Sequence, residues 1–125
     1  MKVFVYFNLH KRCFSVKALE GERKGRVIAH RDSLALYGAT FKVSQAGRER
    51  VLREKRKNVH AGVVGFWTER KMVVDDLVVS TGIAIGRQIT YNPYKYSSFV
   101  YRDNEQPVTT KQRAVALDHG RIYTI

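Results

Sequence analysis

The 125-residue chain has little cysteine, proline, tryptophan or acid: Cys13 stands alone, two prolines and one tryptophan occur, and 11 carboxylates face 23 lysines and arginines. A single thiol can neither close an internal disulfide nor join companion cysteines around zinc, which points to a reducing compartment. No apolar run approaches the roughly 20 residues that a membrane-spanning helix needs, so the sequence predicts a soluble protein. Met1 to Phe7 carries one basic residue and a short apolar run. No small-residue cleavage site follows before His10 and Lys11, so this run reads as a first strand rather than a signal peptide. Linkers, repeats and low-complexity segments are lacking too, and the length suits one domain, residues 1–125.

What is present begins with charge. A formal net charge of +12 attracts polyanions and speeds their association, although it can also serve solubility alone. Along the chain, β-branched and aromatic residues cluster in short runs bounded by turn residues, the mark of strands. Such runs cover 2–8, 13–19, 26–30, 34–43 with a break at Gly38, 60–67, 98–101, 113–117 and 121–125. Gly21 and Gly25 equip the turn at 20–25 for positive φ. Between 44 and 57 the composition changes to strong helix formers behind Ser44, a capping residue, and the segment is dense in cations. Its apolar stripe is only Ala46, Val51 and Leu52, so the helix is expected on a surface or against another subunit. The run 72–89 is ambiguous, with Val73, Val74 and Leu77–Val79 fitting a second short helix and Ile83, Ile85, Ile89 and Tyr91 fitting a strand. The expected class is α+β: mainly antiparallel sheet with one basic helix at about 44–57 and room for a second short one.

Catalytic chemistry finds no pattern to stand on. His10, His30, His60 and His119 are far apart and form no metal-ligand pair of the H-x-x-x-H kind. Asp75 and Asp76 suit a solvated surface or cap better than a metal, and Cys13 reads as strand core rather than as half of a nucleophilic dyad. Neither a P-loop nor a complete G-x-G-x-x-G occurs. The expectation is therefore no catalytic residue, no metal and no cofactor.

Two segments carry binding chemistry. In the first, Arg53, Arg56, Lys57, Asn58 and His60 gather cations, an amide and an imidazole at a helix-to-strand junction. Arginine is the better phosphate fork because its planar donors reach two oxygens at once. A plain solvated helix end would carry the same residues with no ligand. In the second, Arg87, Tyr91, Asn92, Tyr94, Lys95 and Tyr96 surround Pro93, which restrains a turn able to present phenols, an amide and cations together. Aromatic faces stack on nucleobases, and lysine or arginine pairs with phosphate. Tyrosines packed on the sheet would be the purely structural alternative. Arg113, in a C-terminal strand, completes the candidate ligand-binding set.

The blocks F-N-L-H-K at 7–11, A-L-E-G at 18–21, K-G-R-V-I-A-H at 24–30, V-L-R-E-K-R-K-N-V-H-A-G at 51–62 and I-T-Y-N-P-Y-K-Y at 89–96 resemble the first Thoeris anti-defence family of phage proteins. The resemblance spans nearly the whole chain and includes no catalytic signature. It implies a sponge in the cytoplasm of the bacterial host: a homo-oligomer, a dimer or trimer of dimers, that sequesters cyclic ADP-ribose isomers, and in some members cyclic oligonucleotides, without degrading them. It carries Asn92 and the basic end of the helix over as ligand positions. The residues read by themselves lead the same way, since phosphates, an adenine face and ribose hydroxyls call for cations, aromatics and amides. The rival expectation is a basic phage protein that binds nucleic acid, although no helix-turn-helix or RNP-type motif is present.

Overall fold

Val3 and Val5 are buried, Lys2 is exposed, and Phe4 and Tyr6 lie between, the two-residue alternation of a strand with one face on a core. The computed structural model, which describes residues 1–68 and 86–125, builds outward from this strand, β1 (Lys2–Asn8). It adds β2 (Cys13–Ala18), β3 (Val27–Arg31), β4 (Ser33–Val43), helix α1 (Gln45–Glu54), β5 (Ala61–Phe66), β6 (Gln88–Thr90), β7 (Val100–Tyr101), β8 (Gln112–Asp118) and β9 (Arg121–Thr124). All of these strands join one antiparallel sheet in the order β3-β2-β1-β5-β4-β8-β9-β6-β7. The expected class holds in its coarse form, with the sheet dominating and α1 the helix among the described residues. The second helix suggested for 72–89 falls largely outside them, as do Asp75 and Asp76; Ile89 lies in β6.

The sheet is strongly curled. In a flat sheet, at about 4.8 Å per strand, β1 and β9 would stand roughly 19 Å apart across four steps. Instead Phe7 of β1 packs on the turn between β8 and β9, where a side-chain carbon built at Gly120 would lie 3.2 Å from its ring. The long β4 supplies a bend: pairing with β5 shifts register between Tyr37 and Thr40, and Gly38 sits in that interval at φ +58°. A bulge of this kind raises local twist, and glycine meets the left-handed conformation without a Cβ clash. Val3, Val5, Phe14, Val16, Leu36, Val63, Val115 and Leu117 fill the enclosed side.

Ser44 caps α1 as expected, its Oγ accepting from the Gly47 amide at 3.2 Å. The other end corrects the sequence expectation, for the helix stops at Glu54 rather than 57. Lys55 turns left-handed at φ 57° and its N–H bonds the Val51 carbonyl at 2.9 Å, the αL manner of ending a helix. Arg56, Lys57 and Asn58 therefore belong to the connection into β5. Val51 is the helix's buried side chain, which agrees with the narrow apolar stripe.

Candidate ligand-binding cavity

A cavity of about 880 Å³ lies where the curl brings β1, β5, β6 and β9 together, within the usual range for small-molecule sites. Its floor is the core itself, with Val5, Phe14, Val63, Ile89 and Leu117 among the apolar lining. The exposed rim comes from four separate places: Leu9 and His10 in the β1–β2 hairpin, Lys57 to Val59 before β5, Asn92 and Tyr94 after β6, and Gly120 of the β8–β9 turn with Arg121 at the start of β9. Among the described residues no carboxylate side chain lines it.

The two segments singled out in the sequence meet here inside one chain. His60 Nδ1 lies 2.8 Å from the Asn58 carbonyl, which can only accept, so Nδ1 carries the proton. In the neutral ring Nε2 must then accept, and the Tyr91 hydroxyl donates to it at 2.7 Å. Burial holds the Tyr91 phenol above its ordinary pKa against the opposing charge of Arg48, keeping that donor protonated near neutrality. The ring of Tyr91 continues an aromatic series into the fold, 5.0 Å from Phe99, which lies 5.1 Å from Phe41.

The turn after Tyr91 is held from inside and outside. Asn92 Oδ1 accepts from the Tyr94 amide at 3.0 Å, and the Asn92 carbonyl accepts from the amides of Lys95 at 3.0 Å and Tyr96 at 2.8 Å. From α1, Arg48 Nε donates to the carbonyls of Pro93 at 3.1 Å and Tyr96 at 3.0 Å, while Gln45 Nε2 reaches the Ser97 carbonyl at 2.9 Å. Gly47 makes this docking possible, since a Cβ there would lie 2.7 Å from the His60 Cβ.

Of the sequence-derived set, Lys57, Asn58, His60, Tyr91, Asn92 and Tyr94 line the cavity. Arg53, Arg56, Arg87, Lys95, Tyr96 and Arg113 do not. Arg53 and Arg56 are exposed around the end of α1, and Arg113 is exposed on β8. Arg87 forks onto Asp103 through two 2.7 Å bonds and stacks 3.7 Å over the Tyr101 ring. Lys95 bonds Glu105 at 2.6 Å, and the Tyr96 hydroxyl bonds the same carboxylate. These three thus bind their own fold. Sequence reasoning missed His10, a lone imidazole in a hairpin turn, Arg121, a single cation at the start of a strand, and Arg48, which clasps the turn. The glycine-bearing strand 61–66 is central in the sheet: Gly62 packs on Phe4 and Val5, and Gly65 on Leu36 and Tyr37.

The exposed pairs have a signed pH dependence. The Arg87 bond holds Asp103 below the ordinary carboxylate pKa, and the bonds from Lys95 and then Tyr96 do the same for Glu105. For depressed carboxylates the stabilisation is present above the unfolded value and is lost as pH falls through the folded one. Below about pH 4 the Glu105 amide, which bonds the Tyr101 carbonyl at 2.7 Å, is expected to lose protection in amide exchange while the protein stays folded. Unchanged protection across that range would show that these pairs do not hold the turn.

Among known proteins, the family model described as Mycobacterium phage L5 gene 82 protein matches residues 1–125. The gene 82 protein of Mycobacterium phage L5 is 40% identical over 126 residues, which cover 96% of this chain and 93% of that one. No solved structure matches. A match over the whole length, cavity segments included, carries one conclusion: the chain belongs to the phage-protein family of the Mycobacterium phage L5 gene 82 protein.

Proposed function

We propose that the protein captures a small phosphorylated ligand bearing a nucleobase in this cavity and holds it unaltered. One observation carries the reading: Lys57, Arg121 and His10 stand at the rim of a cavity lined by no carboxylate among the described residues, in a chain of net charge +12. A one-sign field over low-dielectric walls concentrates anions. The cavity's volume leaves room for a molecule of two nucleotide units, and its aromatic and amide groups suit base and ribose. Both His60 nitrogens are committed, to Asn58 and Tyr91, which favours retention over proton transfer. The resemblance to the first Thoeris anti-defence family supplies the biological form of this proposal, a sponge for cyclic ADP-ribose isomers made in the infected cell.

The test is calorimetric titration with a cyclic ADP-ribose isomer, followed by heat denaturation and mass spectrometry of the released molecule. Stoichiometric recovery of intact ligand is expected; absence of binding, or recovery of a cleaved product, would overturn the reading. A second reading, nucleic-acid binding, is favoured by Arg50, Arg53, Lys55 and Arg56, which are exposed and have no carboxylate partner among the described residues. A gel shift that persists at physiological salt would select it. The proposal includes a homo-oligomer, since α1 buries only Val51 within the chain. A micromolar monomer in light scattering would remove that part.

Asn92 separates turn from ligand. Its Oδ1 serves the Tyr94 amide, whereas its Nδ2 has no partner among the described residues. Asn92→Asp keeps the acceptor, loses the donor and adds a negative charge, so affinity is expected to fall roughly 100-fold with the melting temperature held. Asn92→Ala is expected to lower both. If Asn92→Asp binds like the wild type, the amide serves only the turn.

A further inference from the structure

We infer that Tyr94 is a stacking platform for the nucleobase of the ligand, an inference that rests on the cavity reading above. The hydrogen bonds from Asn92, Arg48 and Gln45 fix the turn that carries it, and that turn's other large side chains are engaged: Lys95 and Tyr96 on Glu105, and Tyr91 on His60. Tyr94 is the exception. Its phenol has no hydrogen-bond partner and its ring no aromatic neighbour among the described residues, and it is 58% exposed at the cavity rim.

Two more large apolar side chains are exposed on the same rim, Leu9 at 57% and Val59 at 53%. They come from two other elements, the β1–β2 hairpin and the connection into β5. Single exposed apolar residues need no explanation, but three converging on one opening mark a surface that a ligand covers. The rim also carries cations, so the molecule that fits combines anionic groups with a flat apolar face. A nucleobase joined to phosphate has both. Because the turn is ordered before binding, placing a base on the ring requires little further loss of freedom, and any base offers a π-face to it.

The experiment compares wild type, Tyr94→Phe and Tyr94→Leu with a cyclic ADP-ribose isomer as probe, reading affinity by calorimetry and base stacking by the loss of adenine absorbance on binding. Leucine keeps apolar bulk and removes the π-face; phenylalanine keeps the face and removes the hydroxyl. Expected is an absorbance loss in wild type and Tyr94→Phe at similar affinity, and in Tyr94→Leu little absorbance change with a roughly 5- to 150-fold weaker affinity, the span of base-on-aromatic stacking. Melting temperatures should agree, since the exposed ring makes no hydrogen bond or aromatic contact among the described residues. If Tyr94→Leu binds with wild-type affinity and absorbance change, the platform is overturned while the cavity reading stands. If the wild type does not bind the probe, the cavity reading is overturned and the platform with it.

Discussion

Gly62→Ala is expected to lower the melting temperature by about 10 °C. The new Cβ would lie 2.5 Å from the Val5 carbonyl oxygen and 2.6 and 2.7 Å from two carbons of the Phe4 ring. The ring can swing away, but the carbonyl cannot, because β5 lies between β1 and β4, and β1 is paired with β2 from Val3 to Asn8 and with β5 from Lys2 to Val5. Moving it means parting β1 from β5 at the edge of the cavity. Overpacking that backbone cannot relieve costs about 3 kcal/mol. Gly65 is the control in the same strand: its nearest contacts would be 3.1 Å, to the Leu36 Cβ and the Tyr37 carbonyl, so Gly65→Ala should cost less. Thermal unfolding followed by circular dichroism decides it. A Gly62→Ala protein that melts within roughly 2 °C of wild type would show that the β1–β5 spacing relaxes freely.

The strands were legible because each carries its own signal. Alternation in 2–8, the glycine-equipped turn at 20–25 and the break at Gly38 are local properties, and the structure realises them as β1, the β2–β3 turn with Gly21 at φ +80° and Gly25 at φ +86°, and the β4 bulge. The helix end was not legible. Lys55, Arg56 and Lys57 all favour helix, and no glycine or proline marks the stop. The helix ends where the chain must leave α1 to bring His60 under Tyr91, a tertiary demand.

The site divides in the same way. That 53–60 and 87–99 concentrate cations, amides and aromatics was readable from residue type. Which cations would be left free was not, because pairing depends on where Asp103 and Glu105 arrive, and these carboxylates claim Arg87 and Lys95. His10 and Arg121 were hidden for a different reason. Strand pairing sets Asp118 beside Ser33 and Val43 beside Ala61, so the β8–β9 turn and the entry to β5 lie at opposite ends of β4. They share a cavity because of the curl, a property of the whole sheet.

The largest effect on binding is expected from Lys57→Ala combined with Arg121→Ala. Both cations are exposed at the rim, one before β5 and one at the start of β9, and have no carboxylate partner among the described residues, so removing them should leave the melting temperature unchanged. A phosphorylated ligand would desolvate them on entry, and a charge-assisted hydrogen bond made in that setting contributes about 1.5–3 kcal/mol. Two such bonds lost together give at least a 100-fold weaker affinity for a cyclic ADP-ribose isomer. Salt separates contact from steering: affinity of the wild type should fall as ionic strength rises, and the double variant should show a flatter dependence, because fewer charges remain to be screened. Arg56→Ala is the matched control. It removes the same unit charge one residue from Lys57, but Arg56 does not line the cavity, so only the long-range attraction is lost and affinity should change by no more than a few-fold at physiological salt, where screening acts within about 8 Å. If Arg56→Ala weakens binding as much as the double variant does, the attraction is a diffuse property of the +12 surface. If neither variant weakens it, the anion is bound somewhere other than this cavity.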